Sequence, residues 1–273
     1  DGITDRIACN VCKPEEVEGL VAWCGPTDYV LHLAAVSFIP EANRNPAHVM
    51  EVNLNGTIHL ASAVQRHWPD ARFLYVSSSE IYGVPETLPV TEAHPIAPRT
   101  PYAISKAAAD AYCRYQQAAA GFNTVVLRPF NHAGADQSDR FVLASFARQI
   151  AEMEAGILPP VLRVGNLHVS RDFTHVHDIV RAYELAMRSG EAGEAYNLCS
   201  ALSRSLQGAV ETLVRMSDVE VEIQVEDARL RSIDALEVRG NHEKFTQATG
   251  WLPEIPFDNL LSELLDHWRA KIR

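Results

Sequence analysis

The sequence lacks the features that mark membrane, secreted or nucleic-acid-binding proteins. No apolar run is long enough to span a bilayer, and no signal-like segment opens the chain. The five cysteines are odd in number and scattered, which does not indicate a disulfide framework. Lysine and arginine total 24 against 35 acidic residues, and this net charge of -11 argues against a nucleic-acid surface. We therefore expect a cytoplasmic protein that binds neither membranes nor nucleic acid.

Metal ligands in a recognisable pattern are also scarce. Cys9 and Cys12 have the spacing of a redox or zinc motif, but no second Cys or His pair lies nearby to complete it. We interpret them as small apolar residues at the end of a strand and predict no metal site.

Buried strands and helices alternate over the first half of the chain. The nearly continuous apolar run 29–35 predicts a strand buried on both faces. Strands at 72–76 and 123–127 follow, with helices at 46–67 and 102–120 between them. This alternation predicts right-handed βαβ units and a doubly wound parallel α/β sheet.

The rhythm breaks after about residue 157, where shorter strands and a terminal amphipathic helix follow. We therefore predict a dinucleotide-type sheet domain over 1–156, with 172–200 contributing to it. Residues 157–273 are predicted to form mainly a smaller substrate-binding lobe. Further helices are predicted at 13–23, 138–155, 178–189 and 260–273, and further strands at 161–164 and 219–225.

Tyr102 and Lys106 head an alanine-rich predicted helix, one turn apart and on one face. An ammonium near a phenol favours the phenolate, so we expect the Tyr102 pKa to fall from about 10 toward neutral pH. The spacing alone is common on solvated helices. A functional role for this pair becomes more credible because polar clusters follow the predicted strands. These clusters are Ser37, Ser77–Glu80 and Asn131–His132, and they lie where ligands of parallel sheets bind.

An ordered set of motifs resembles the extended short-chain dehydrogenase/reductases that act on nucleotide-sugars. These motifs are His32–Ala35, Asn53–Thr57, Val76–Gly83, Tyr102-x-x-x-Lys106 and Arg128–His132. Three further stretches are similar to the GDP-4-keto-6-deoxy-D-mannose reductases that form GDP-D-rhamnose, namely 131–137, 164–173 and 249–251. The resemblance implies a Rossmann-type sheet, reduction of a 4-keto sugar, and a homodimer formed through a four-helix bundle that contains 49–67 and the Tyr102 helix.

The resemblance also assigns roles to residues. Ser78 would hydrogen-bond the sugar carbonyl oxygen, with Ser79 as the alternative, and Tyr102 would give that oxygen a proton. Lys106 would hold the nicotinamide ribose and lower the Tyr102 pKa. The remaining cofactor residues implied are Leu33, Ala34, Ala35, Ser37 and His132. The implied ligands of the GDP-sugar are Ser78, Ser79, Glu80, Asn131, Arg171, Arg231 and Asp234.

One departure from the family pattern concerns the cofactor. The family opens with a strand and a Gly-x-x-Gly-x-x-Gly turn that cradles the pyrophosphate, and nothing in this sequence matches that turn. We expect a first βα unit of some tens of residues to precede the chain. NADPH is the cofactor that the family favours, with NADH as the alternative, and Asn10 stands where the family usually has an aspartate facing the adenine.

Other functions stay open at this stage. Glu80 stands where 4,6-dehydratases keep a carboxylate base, which makes a dehydratase the nearest rival, and a C4 epimerase is a weaker one. A non-catalytic dinucleotide sensor on the same fold would have lost the Tyr/Lys pair or the hydroxyl, and both are intact. Arg171 could instead pair with Asp172, and Asn53 fits a structural role as well as a catalytic one.

Overall fold

The computed structural model describes residues 5–229 and 235–273, which divide into two compact units. Unit 1 comprises the described parts of 1–83, 95–128 and 184–196, and unit 2 comprises those of 84–94, 129–183 and 197–273. The sequence-based boundary near residue 156 differs from this division, because 129–156 lie in unit 2. No helix of the described residues is both long and apolar enough to cross a membrane.

Ten α-helices are described within these ranges. They are α1 (Pro14–Cys24), α2 (Ile39–Arg44), α3 (Pro46–Met50), α4 (Gly56–His67), α5 (Pro101–Ala120), α6 (Val142–Glu154), α7 (Val176–Ser189), α8 (Leu206–Arg215), α9 (Glu243–Thr249) and α10 (Phe257–Ile272). A π-helical turn, Glu51–Asn55, joins α3 to α4, and a 3₁₀ turn, Ser79–Tyr82, follows the second strand.

The described part of the chain also contains nine strands in three sheets. They are β1 (Tyr29–His32), β2 (Arg72–Val76), β3 (Thr124–Pro129), β4 (Asn131–Ala133), β5 (Val161–Val164), β6 (Ser170–His175), β7 (Ala195–Leu198), β8 (Ser203–Ser205) and β9 (Glu222–Val225). The largest sheet has the order β1-β2-β3-β7, with β1, β2 and β3 parallel. The predicted parallel α/β sheet is thereby confirmed.

β1 is shorter and more exposed than the sequence predicts. The strand ends at His32, and Tyr29 is 50% exposed within the part of the chain that the structure describes. The prediction of a strand buried on both faces is therefore wrong for β1. It holds for β3, whose six residues are all buried.

The core of unit 1 lies between this sheet and the helices α1, α4 and α5. Phe73, Phe122 and Val126 from the sheet side pack with Ala109 and Cys113 of α5. Ala109 and Cys113 are small, so α5 lies close to the strands, and Lys106 on the same helix reaches the Val76 carbonyl at the end of β2.

Unit 2 has its own core and two small sheets. β4 pairs in parallel with β6, and β6 pairs antiparallel with β8, while β5 and β9 form a separate parallel pair. The apolar face of α10, which carries Leu260, Leu261, Leu264 and Leu265, packs in one cluster with residues of α6 and α8. This amphipathic terminal helix agrees with its sequence-based prediction.

Candidate active site

Tyr102 and Lys106 lie on the buried face at the start of α5. The helix begins here because Pro101 occupies its first position and the Thr100 hydroxyl accepts the Ala103 amide at 3.1 Å. Tyr102 is 9% exposed and packs against Ala42 of α2, and Lys106 is 4% exposed. The cap and the proline thus set the phenol and the ammonium on successive turns facing the protein interior.

Ser78 begins the turn that follows β2. Its hydroxyl accepts the Glu80 amide at 3.2 Å and lies close enough to the Tyr102 phenol to lower the pKa of that phenol. Ser79 and Glu80 come next in the 3₁₀ turn and are half-buried. Of the two serines, Ser78 is therefore the one whose hydroxyl lies beside the Tyr102 phenol.

The Tyr102 phenol stays protonated at neutral pH. Burial raises the pKa of Tyr102 to about 12, with the Ser78 hydrogen bond lowering it in part and the Glu80 carboxylate raising it further. The prediction that Lys106 brings the Tyr102 pKa toward neutrality is wrong in this structure, because the desolvation of the phenolate dominates. The neutral phenol carries the proton that a donor needs at pH 7, although it gives that proton up less easily than an ordinary phenol, and it does not act as a base there.

The Lys106 ammonium has partners of its own. Nζ donates to the Val76 carbonyl oxygen at 2.5 Å and lies 4.7 Å from the centroid of the Tyr75 ring. Burial lowers the Lys106 pKa to about 8, although Cys113 and Asp110 nearby raise it in part. The ammonium therefore loses its charge as the pH rises through about 8.

Asn53 fastens the loop after β1 to α5. Its side-chain oxygen accepts the Val36 amide at 2.8 Å, and its Nδ2 donates to the Val36 carbonyl at 3.1 Å and to the Ser105 hydroxyl at 2.9 Å. Asn53 belongs to the π-helical turn, a local irregularity that often accompanies functional sites. These bonds support the structural role that the sequence left open for it.

The residues predicted to hold the cofactor in unit 1 follow β1. Leu33 is 56% exposed, Ala34 and Ser37 are also exposed, and Ala35 is half-buried. At the end of β2, the buried Ser77 hydroxyl has no hydrogen-bond partner in the part of the chain that the structure describes. An exposed apolar loop and an unsatisfied hydroxyl at neighbouring strand ends fit part of a dinucleotide site.

In unit 2, Asn131 and His132 lie in β4 and Arg171 lies in the paired strand β6. His132 Nδ1 is 3.0 Å from the Phe130 carbonyl oxygen, which can only accept, so Nδ1 carries the proton. Burial lowers the pKa of His132. Arg171 donates to the carbonyls of Ser170 and Ala235 at 2.7 and 2.8 Å.

Asp172 is engaged elsewhere in unit 2. Its carboxylate accepts the amide and hydroxyl of Ser200 and the amide of Gly240. Its pKa is raised by burial, which these hydrogen bonds oppose. The predicted sugar-nucleotide ligands Arg231 and Asp234 lie outside the described residues.

The sequence motifs did not indicate one buried group, whose charge acts on Lys106. Asp110 lies one turn beyond Lys106 and forms a two-pronged ion pair with Arg128 of β3, at 2.9 and 3.0 Å. The spacing of 102, 106 and 110 was a visible signal, since all three fall on one helix face. Its partner could not be read from that pattern.

A parallel sheet with a serine after one strand and a Tyr-x-x-x-Lys helix beside it defines an oxidoreductase of the short-chain dehydrogenase/reductase type. The family described as "GDP-mannose 4,6 dehydratase" matches residues 5–264, and the chain belongs to that family. The resemblance deduced from the motifs is thereby confirmed.

Curated relatives include reductases, dehydratases and epimerases. The chain is 40% identical to the GDP-6-deoxy-D-mannose reductase of Pseudomonas aeruginosa, over 97% of this chain and 87% of that protein. It is 29% identical to a dTDP-glucose 4,6-dehydratase of an Actinoplanes species, over 96% of this chain and 78% of the other.

Solved structures that match the chain include RMD and an epimerase. RMD from Pseudomonas aeruginosa, complexed with NADPH, matches with a TM-score of 0.93 at 38% identity, covering 98% of this chain and 90% of that one. A UDP-glucose 4-epimerase from Thermus thermophilus, in complex with NAD, matches with a TM-score of 0.84 at 26% identity, covering 96% of this chain and 83% of the other.

Proposed function

We propose that this protein reduces the 4-keto group of GDP-4-keto-6-deoxy-D-mannose to give GDP-D-rhamnose, with NADPH as the reductant. The observation that carries the proposal is a buried, protonated Tyr102 phenol beside the Ser78 hydroxyl. The identity of 40% to a GDP-6-deoxy-D-mannose reductase supports the choice of substrate, and the match to a structure holding NADPH supports the choice of cofactor.

Ketone reduction needs a proton delivered to an oxygen that becomes negatively charged. Ser78 would hold this oxygen with one hydrogen bond, and Tyr102 would donate the second hydrogen bond and then its proton. NADPH supplies the hydride when it is bound. Lys106 would hold the nicotinamide ribose through its ammonium, which orients the cofactor toward the sugar carbonyl.

The other site residues keep the roles given by the sequence. Leu33, Ala34, Ala35 and Ser37 are proposed to hold the cofactor together with Lys106, and His132 is proposed to line its channel. Asn131 and Arg171 are proposed ligands of the GDP-sugar, because a guanidinium binds a diphosphate through paired charge-assisted bonds.

The experiment that tests this function compares two reactions. With GDP-4-keto-6-deoxymannose and NADPH, we expect the purified protein to consume NADPH and to form a reduced GDP-deoxysugar. The rival dehydratase would use Glu80 as a base and would convert GDP-mannose with bound NAD. Conversion of GDP-mannose without oxidation of NADPH would overturn the proposal.

Activity is expected to fall as the pH rises through about 8. Below that value Lys106 carries its charge, and above it the ammonium is lost, while Tyr102 with a pKa of about 12 stays a proton donor. In Lys106→Arg the charge persists to higher pH, so the alkaline limb of kcat/KM should move upward even though total activity falls. A limb that stays at the same pH in Lys106→Arg would show that another group titrates there.

We also propose that two copies of this chain associate through α4 and α5. Ile104 and Tyr115 on α5 are 44% and 61% exposed, and with Ala108 and Ala111 they are spaced by four, three and four residues. This spacing places four apolar side chains in one stripe, as in helix–helix seams.

Sedimentation at micromolar concentration should therefore give a dimer. Tyr115→Glu should shift the protein toward monomer, because it sets a charge within the apolar stripe. Glu184→Gln changes a 60% exposed side chain on α7 and should leave the dimer intact. A wild-type protein that sediments only as monomer would contradict the proposal.

A further inference from the structure

Arg128 makes three hydrogen bonds with one guanidinium. Nε and Nη2 donate to the two Asp110 carboxylate oxygens at 2.9 and 3.0 Å, and Nη1 donates to the Tyr82 hydroxyl at 2.9 Å. Arg128, Asp110 and Tyr82 are 2%, 3% and 4% exposed, so the whole group is out of water. We call these three residues the Arg128 clasp.

The members of the clasp come from the same elements as the catalytic candidates. Asp110 lies two turns beyond Tyr102 on α5, so the phenol, the Lys106 ammonium and this carboxylate share one face. Tyr82 is the last residue of the 3₁₀ turn that Ser78 caps. The guanidinium therefore joins the helix that carries the phenol to the turn that carries the serine.

The hydrogen bond from Arg128 to the Tyr82 hydroxyl is not needed to neutralise the buried charge. A two-pronged pair with Asp110 already compensates the buried guanidinium, and replacing such pairs by apolar residues is often neutral for stability. The bond to Tyr82 instead constrains the position of the Tyr82 hydroxyl, because the guanidinium is planar and its donors point in fixed directions.

The turn is restrained at its other end as well. Gly83 has φ +67°, and a Cβ at this position would lie 2.1 Å from the Ala97 carbonyl oxygen. The segment between Ser78 and Gly83 is thus held at both ends, by the serine cap and the glycine fit, with the clasp acting on Tyr82 between them.

We propose that Tyr82, Asp110 and Arg128 are positioning residues, which set the Ser78 hydroxyl against the Tyr102 phenol. The inference deepens the proposed reductase function and rests on it for its kinetic part. Proton transfer requires donor and acceptor within hydrogen-bond reach, and a misplacement of about 1 Å can cost about 100-fold in rate.

The test is Tyr82→Phe, which removes one hydroxyl and keeps the ring and the ion pair. We expect kcat for reduction of the 4-keto sugar to fall by about 10-fold or more, with KM for the sugar nucleotide within about twofold. In the unliganded protein, amide hydrogen exchange over 78–83 should become faster.

The matched control is Tyr196→Phe. Tyr196 is 1% exposed and its hydroxyl accepts the Glu191 amide at 3.1 Å, so this change also removes a buried hydrogen bond. It should leave kcat and exchange over 78–83 unchanged. Equal losses of kcat in both variants, or no change of kcat and exchange in Tyr82→Phe, would overturn the positioning role.

The two proposals fail in different ways. If the wild-type protein does not oxidise NADPH with the 4-keto sugar, the proposed function falls, and the exchange comparison on the unliganded protein still decides the clasp. Faster exchange over 78–83 in Tyr82→Phe alone would then support it, and equal exchange in both variants would refute it.

Discussion

Tyr102→Phe is expected to lower kcat by roughly 100- to 10,000-fold, the usual contribution of a positioned proton donor. KM for the GDP-sugar should change little, because the ring and its packing against Ala42 and Val49 remain. The loss is large because the hydroxyl that touches the Ser78 side chain is the proton source in this account. Steady-state kinetics with GDP-4-keto-6-deoxymannose and NADPH measure both constants.

The control for this change is Tyr115→Phe on the same helix. Tyr115 is 61% exposed, and loss of its hydroxyl keeps the apolar ring on the surface stripe. Its kcat should equal that of the wild-type protein. Full turnover in Tyr102→Phe would remove this residue from the mechanism.

Asp110→Ala is expected to lower the free energy of unfolding by about 3–5 kcal/mol. The change leaves the Arg128 guanidinium buried at 2% exposure without its carboxylate, where solvent does not compensate the remaining charge. Burial itself lowers the pKa of Arg128, but the pair with Asp110 outweighs it and raises that pKa overall. Chemical denaturation of the purified protein measures the change.

A surface ion pair provides the comparison. Glu184 and Arg188 are paired at 2.7 Å on α7, with side chains 60% and 69% exposed. Glu184→Ala should change the free energy of unfolding by less than about 0.5 kcal/mol, because solvent screens such pairs. If Asp110→Ala costs no more than Glu184→Ala, the buried pair contributes nothing to stability.

Local sequence signals were sufficient for most helices and for the sheet type. α5 spans Pro101–Ala120, within one residue of the alanine-rich helix predicted over 102–120. β5 spans Val161–Val164, the residues that the sequence assigned to it. These features depend on neighbours along the chain, so the sequence contains them.

The exposure of β1 could not be predicted in the same way. The apolar run 29–35 indicates a strand, but whether Tyr29 is covered depends on which elements lie beside the strand in space. The same limit affects the division into units, because 84–94 and 129–156 join unit 2 through tertiary contacts. Periodicity carries no information on either point.

For the site, too, the sequence predicts what depends on neighbours along the chain and not what depends on tertiary packing. The spacing of Tyr102 and Lys106 indicated an acid and a cation on one helix face, and the structure bears out that placement. The direction predicted for the Tyr102 pKa is wrong, because desolvation of the 9% exposed phenol raises this pKa and depends on tertiary packing. The partner of Asp110 was missed because Arg128 lies 18 residues away on another element.

Transfer of deuterium from NADPH to the sugar is the decisive measurement for the proposed reduction. NADPH labelled with deuterium at the reactive nicotinamide carbon is incubated with the protein and GDP-4-keto-6-deoxymannose, and the product is examined by mass spectrometry and NMR. We expect GDP-D-rhamnose with one deuterium at C4. An unreduced 4-keto sugar, accompanied by conversion of GDP-mannose in a parallel reaction, would contradict it.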